Sequence, residues 1–254
     1  MELGWIISSL LLSTRFAAAS ALTPVFGSTY LPSLIRVLFA LTFGMVMAFC
    51  LPASAVASIG ELSSTQLVAS FLREILIGTA FSLGFLVAYS ATQIAGRTLD
   101  VQIGFGVGGI LNPATGAFSP LIGSLFGMVG IALFLAMDGH HQLIRALALS
   151  AQIAQPGISG FTINAFAILK QSSAMFAFGF MLAAPIMLVL LLVDLSLAIC
   201  ARSLPQLNIL VLSFAIKVVI SMLLLAVSLQ WIQWTFAKLY QGTFDYWSQQ
   251  AGTP

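Results

Sequence analysis

The sequence predicts an all-α integral membrane protein built from several long apolar helices with breaks between them. Three observations carry this. Charged residues make up 6% of the chain and hydrophobic ones 60%, against roughly 25% charged in a soluble domain, so the chain cannot cover a water-facing surface. No charge falls between Arg36 and Glu61, Glu74 and Arg97, Asp100 and Asp138, or Lys217 and Lys238, and about 20 apolar residues cross a hydrocarbon core as a helix. These runs outlast the roughly ten-residue alternating strands of a membrane barrel. Helices are then the way left for the backbone to satisfy its own polar groups in lipid.

The apolar segments expected to form those helices are 3–22, 34–52, 70–95, 118–137, 174–200 and 208–236. After the first comes Thr23-Pro24-Val25-Phe26-Gly27-Ser28 with Pro32, where two prolines remove backbone donors and disfavour one straight helix. The third and fourth are separated by Gly104-Phe105-Gly106-Val107-Gly108-Gly109-Ile110-Leu111-Asn112-Pro113. A more polar link from Asp138 to about Asn164 follows, with both histidines and Pro156-Gly157. Ser203-Leu204-Pro205-Gln206-Leu207-Asn208 then divides two long apolar runs into a hairpin. The last stretch carries Trp231, Trp234, Tyr240, Tyr246 and Trp247, suited to a membrane–water boundary or to packing against a neighbouring subunit. The start, Met1-Glu2-Leu3-Gly4-Trp5, is acidic where a signal peptide is basic, so no cleaved leader is expected. Singly scattered lysines and arginines leave the orientation undetermined.

Gly104, Gly106 and Gly109 satisfy the GxGxxG pattern of dinucleotide sites. That motif requires a preceding strand, a following helix and an acidic residue about 20 positions on. Here the flanks are membrane-type segments and Pro113 blocks an early helix. No cofactor is expected. Glycine permits close backbone approach and positive φ, and irregular backbone at membrane depth survives inside protein or beside a water-filled cavity. Composition therefore leaves two readings of this segment open: an apolar constriction, or a helix-packing stretch with Gly104/Gly108 and Gly123/Gly127 as small-residue pairs.

Arg15, Arg73, Glu74 and Asp194 lie within or at the edge of apolar segments, where a charge costs about 2.5–3.5 kcal/mol on insertion scales. No row of carboxylates lines up as a relay, which favours interhelical or subunit pairing over a proton path. Asp138-Gly139-His140-His141 offers one carboxylate beside two histidines, and a polar helix-end contact is the better reading than a metal site. Cys50 and Cys200 lie in apolar segments outside any CxxC and are read as small hydrophobes. No nucleophile–base pair, carboxylate pair or phosphate loop is present, so the chain is not expected to be an enzyme. A net charge of +2 without a basic cluster gives no case for nucleic acid.

Read together, Pro24-Val25-Phe26-Gly27 with Pro32, Ala95-Gly96, Gln102-Ile103-Gly104 and Asn112-Pro113 resemble the FliR family. Phe134-Leu135-Ala136-Met137-Asp138-Gly139-His140, Ala184-Pro185 and Ala201-Arg202-Ser203-Leu204-Pro205-Gln206-Leu207-Asn208 do so as well. Their order and spacing are specific where each alone is weak, and they cover nearly the whole chain.

The resemblance implies a single-domain core subunit of the type III protein export gate in the bacterial inner membrane, at the flagellar basal body. FliR-like proteins assemble with FliP-like and FliQ-like subunits into a closed helical cone beside FlhA-like and FlhB-like components. That cone passes unfolded export substrates. On this chain, about 1–170 would be the FliP-like part, about 171–236 the FliQ-like hairpin, and 237–254 a tail. The closure of the pore would fall on Phe105, Val107, Ile110 and Leu111, hinged at Gly104, Gly106, Gly108, Gly109 and Pro113. Family members often carry bulkier or more polar residues here and an acid in place of Asn112. Arg202, Pro205, Gln206 and Asn208 would form a partner-contacting hairpin tip, and Arg15, Arg73, Glu74 and Asp194 would serve subunit pairing. An injectisome homologue and a small-molecule secondary transporter are the competing functions. The transporter would show internal repeats and midplane polar groups, and neither is found.

Overall fold

The structure is a computed structural model that describes residues 2–23, 32–105, 120–157, 164–203 and 209–251. They form α1 (Glu2–Ala21), α2 (Ser33–Phe49), α3 (Ala53–Gly60), α4 (Ser64–Ile103), α5 (Leu121–Ala136), α6 (Gly139–Ile153), α7 (Ala165–Ser203) and α8 (Ile209–Gln250). No strand occurs among the described residues. Among the described residues, four stretches are long and apolar enough to cross a membrane: Leu3–Ala21, Ser64–Ile103, Ala165–Ala201 and Val211–Ser228. The count reaches six if two bent pairs are each one broken span, α2 with α3 at 117° and α5 with α6 at 63°. The predicted segments thus appear as α1, α2, α4, α5, α7 and α8. The chain is an all-α membrane protein.

Three helices outrun their apolar segments: α4, α7 and α8. Beyond an apolar run, tertiary contacts keep the helix going. The end of α8 shows how. Tyr240, Tyr246 and Trp247 are buried, the Tyr246 hydroxyl donates to the Ala80 carbonyl at 2.7 Å, and Trp247 Nε1–H donates to the Phe81 carbonyl at 2.8 Å. Where an outward-facing aromatic stretch was expected, these three rings pack inside the chain. A buried aromatic with a polar tip finds a partner. Trp234 does stay exposed, with Lys238 Nζ 3.8 Å from its ring centroid.

Burial pushes the Tyr246 hydroxyl up to about 12, against the opposing effect of Gln250. The neutral phenol is therefore the form the fold prefers, and its stabilisation is fully present below pH about 10 and lost as pH rises towards 12. The melting temperature should fall more steeply over that window for the native chain than for Tyr246→Phe. Parallel pH profiles for the two proteins would sink the assignment.

The chain divides into two compact units, one of Met1–Ala88, Leu135–Ser172 and Tyr240–Pro254, the other of Tyr89–Phe134 and Ser173–Leu239. In the first, Leu12, Ala48, Leu51, Val56 and Ala151 form a core, with Trp5 and Met47 against it. There α1 and α4 touch through backbone: a Cβ built on Gly78 would meet the Arg15 carbonyl oxygen at 2.3 Å.

In the second unit α4 and α5 meet the same way, since a Cβ on Gly96 would lie 2.4 Å from the Gly123 Cα. Gly96→Ala must push two helix backbones apart, which costs about 1–3 kcal/mol. The apparent melting temperature in detergent should drop by about 4 °C or more. Gly60→Ala is the control. Its added carbon meets nothing closer than 3.5 Å, so a similar drop for both would show that the close approach is not responsible.

Candidate functional site

The site is built in the second unit, on the last turn of α4. The final four carbonyls of a helix need partners from outside it. Two are supplied here: Gly104 N–H donates to the Asp100 carbonyl at 3.1 Å, and Lys217 Nζ donates to the Gln102 carbonyl at 3.3 Å. Gly104 has φ of 104°, in the left-handed region where a side chain would be strained, and so turns the chain out of the helix. The Asp100 side chain, fully buried, accepts from Ile122 N–H and Gly123 N–H, both at 2.9 Å. A carboxylate on these two donors, at a helix N-terminus, is a favourable cap for α5. One turn of α4 therefore holds both the exit of the chain at Gly104 and its return at Ile122.

Phe105 follows directly, half-buried, with its ring edge-on to Phe214 at 5.9 Å between centroids. Gln102 Nε2 donates to the Met187 carbonyl at 2.9 Å, and Lys217 Nζ pairs with Asp194 Oδ1 at 2.5 Å. Of the residues expected to close a pore, Gly104 and Phe105 are described. Gly106, Val107, Gly108, Gly109, Ile110, Leu111 and Pro113 lie outside the described residues. At the expected hairpin tip, Arg202 is in the last turn of α7, and Pro205, Gln206 and Asn208 lie outside the described residues.

The four in-segment charges take different places. Arg15 and Glu74 are buried together in the first unit. Arg15 Nε reaches Glu74 Oε2 at 2.5 Å and Nη2 reaches Oε1 at 3.0 Å, a two-pronged pair. Nη1 also donates to Ser150 Oγ at 3.0 Å and Nη2 to the Ala154 carbonyl at 2.8 Å. This binds α1, α4 and the end of α6 within one chain. Arg73 is half-buried next to Glu74, and Asp194 meets Lys217 as described.

Asp138 precedes α6 with φ of 56°, the one non-glycine residue of positive φ among the described residues. His141 Nδ1 lies 3.2 Å from its carboxylate, a polar helix-end contact. The His140 and His141 rings nonetheless sit together, 4.1 Å between centroids, and the ligand atoms of Asp138, His140 and His141 all fall within 4.8 Å of one another. Among the described residues this is the group able to hold a cation, two of its members exposed and His140 half-buried.

Sequence reasoning missed Asp100 and Lys217, and noted Gln102 only within the Gln102-Ile103-Gly104 resemblance. A signal existed for the first. Asp100 is the sole carboxylate between Glu74 and Asp138 and stands four residues before the glycine-rich segment.

Residues 6–243 match the family described as bacterial export proteins, family 1. The flagellar biosynthetic protein FliR of Bacillus subtilis (strain 168) is 32% identical over 222 residues, covering 86% of this chain and 84% of that protein. That of Escherichia coli (strain K12) is 28% identical over 213 residues, with 84% and 80% covered. The Yop proteins translocation protein T of Yersinia pestis is 28% identical over 225 residues, with 85% and 84% covered.

Proposed function

The chain belongs to the FliR family of bacterial export proteins, and from that premise we propose that it is a core subunit of the gate through which unfolded flagellar substrates leave across the inner membrane. It packs with FliP-like and FliQ-like subunits, with FlhA-like and FlhB-like components adjoining. The flagellar system is favoured over an injectisome because the similarity is higher to the Bacillus subtilis FliR protein than to the Yersinia protein.

The observation that carries a gating role is the base of the glycine-rich segment. Asp100 ties its two flanks to one helical turn, so residues 105–113 can close a channel without being needed to hold α4 against α5. Phe105, Val107, Ile110 and Leu111 supply apolar bulk, which stops ions by dewetting rather than by charge. The glycines let the segment yield to a passing chain. Conduction of this kind requires no catalytic group. The hairpin tip at Arg202, Pro205, Gln206 and Asn208 faces FlhB-like or neighbouring FliQ-like partners.

Assembly is supported by the apolar surface. Only 6% of the Val211–Ser228 window and 28% of the best window in Ala165–Ala201 are buried within the chain, and Leu188, Leu191, Leu195, Leu223 and Val227 stand exposed. Faces of this size seek lipid or protein. Co-expression with FliP-like and FliQ-like subunits should yield one defined complex, and the chain alone should extract as a heterogeneous or unstable species. A homogeneous, export-competent monomer would overturn the proposal.

A further inference from the structure

At the root of the segment, the end of α4 meets the hairpin of α7 and α8. Lys217 lies on α8 and Asp194 on α7, each about two and a half turns from the link between those helices. Their ion pair therefore fastens the two arms of the hairpin. Yet Lys217, whose side chain is 16% exposed, is shared. The same ammonium donates to the Gln102 carbonyl at the end of α4. That is the negative end of the helix dipole, where a cation is favoured and where an orphan carbonyl needs a donor. A lysine this sheltered from water needs a counter-charge, and Asp194 provides it.

Two further contacts and one unpartnered atom surround this one. Gln102 Nε2 holds the Met187 carbonyl of α7, Gln102 Oε1 is buried without a partner among the described residues, and Phe105 leans edge-on to Phe214, three residues before Lys217 on α8. At this corner the Lys217 ammonium ties the end of α4 to the hairpin, as the Asp100 carboxylate ties it to α5. The next residues along the chain are those of the closing segment.

We propose that Lys217 is a latch: held by Asp194, it caps α4 from the hairpin and thereby fixes the root of the pore-closing segment. Movement of the α7–α8 hairpin against α4 is then transmitted to the closure through one ammonium group. Lys217 is a positioning residue and touches no substrate. This rests on the closure reading above, and the test separates the two.

The test uses the assembled complex, with Cys50→Ser and Cys200→Ser removing the free thiols. Phe105→Cys and Phe214→Cys report the root by the rate of reaction with a short bifunctional thiol reagent, and ion conductance reports the closure in otherwise native complexes. Lys217→Met should slow crosslinking about tenfold, the scale of losing a charged hydrogen bond, and raise conductance. Lys217→Arg, which keeps donor and charge, should change neither. The exchanged pair, Asp194→Lys with Lys217→Asp, restores the ion pair but leaves no donor at position 217, and should behave as Lys217→Met. If Lys217→Met does not assemble, Asp194→Asn keeps the lysine and the side-chain size and should still slow crosslinking.

Native crosslinking in Lys217→Met, or in Asp194→Asn where that replaces it, overturns the latch, as does full recovery in the exchanged pair. Slow crosslinking with no leak, in a complex that stays ion-tight when the segment itself is shortened, overturns the closure reading instead and with it the latch's effect on the pore. A leak on shortening with native crosslinking in Lys217→Met rejects the latch alone.

Discussion

Glu74→Gln is expected to destabilise the fold by about 3–5 kcal/mol, because it leaves the buried Arg15 guanidinium without its counter-charge. Arg15 is 2% exposed and Glu74 fully buried, so water cannot take the place of the lost partner. Arg15→Met should be as damaging, since it strands Glu74. The double variant, Arg15→Met with Glu74→Met, should lose markedly less than either, because two apolar side chains need no desolvation. It will not be neutral. The Ala154 carbonyl loses its donor, at about 1–3 kcal/mol for a buried unsatisfied group. Ser150 Oγ is less affected, for it still donates to the Leu147 carbonyl at 2.8 Å. Thermal unfolding of the native chain, Arg15→Met, Glu74→Met and the double variant in one detergent measures the coupling. Additive losses, with the double variant worst, would show that the pair is not acting as a coupled buried unit.

Replacing residues 106–119 by a bridge of about four residues should leave assembly with partner subunits intact and raise the ion permeability of the membrane several-fold. So short a bridge is long enough because both flanks are bound by one residue, Asp100, and about four extended residues span more than 12 Å. The contacts that join α4 to α5, Gly96 on Gly123 and Asp100 on the α5 amides, are untouched. Asp100→Ala gives the complementary result. It strands two buried N–H groups at about 1–3 kcal/mol each, so this variant should lose stability as well as tightness. Complex yield and single-channel conductance, measured on the same preparations, separate the readings. A shortened chain that fails to assemble and stays ion-tight would make the segment a packing element.

The class of protein was legible because lipid imposes one rule on the backbone along the whole chain. Long apolar runs announce helices wherever they occur, and α1, α2, α4, α5, α7 and α8 lie where those runs are. The link at 203–208 and the glycine-rich segment were visible for a similar reason, since proline and glycine act on their own backbone. The order of several weak motifs carried the family, and no single residue did.

What periodicity cannot express is partnership across the chain. Arg15 and Glu74 read as in-segment charges expected to pair without a named partner, and only folding reveals that they satisfy each other with Ser150 and Ala154. Tyr246 and Trp247 looked like outward anchors because composition does not record the carbonyls of Ala80 and Phe81 that receive them. The contacts of Asp100, Gln102 and Lys217 were not foreseen, for their roles depend on α5, α7 and α8 reaching the end of α4. Sequence by itself determined that this chain is a membrane helix protein whose long apolar runs are interrupted by a glycine-rich stretch. Tertiary structure alone decided which buried charges neutralise each other and what anchors that interruption, because a hydrogen bond or ion pair is a property of two groups in space and leaves no mark on either residue alone.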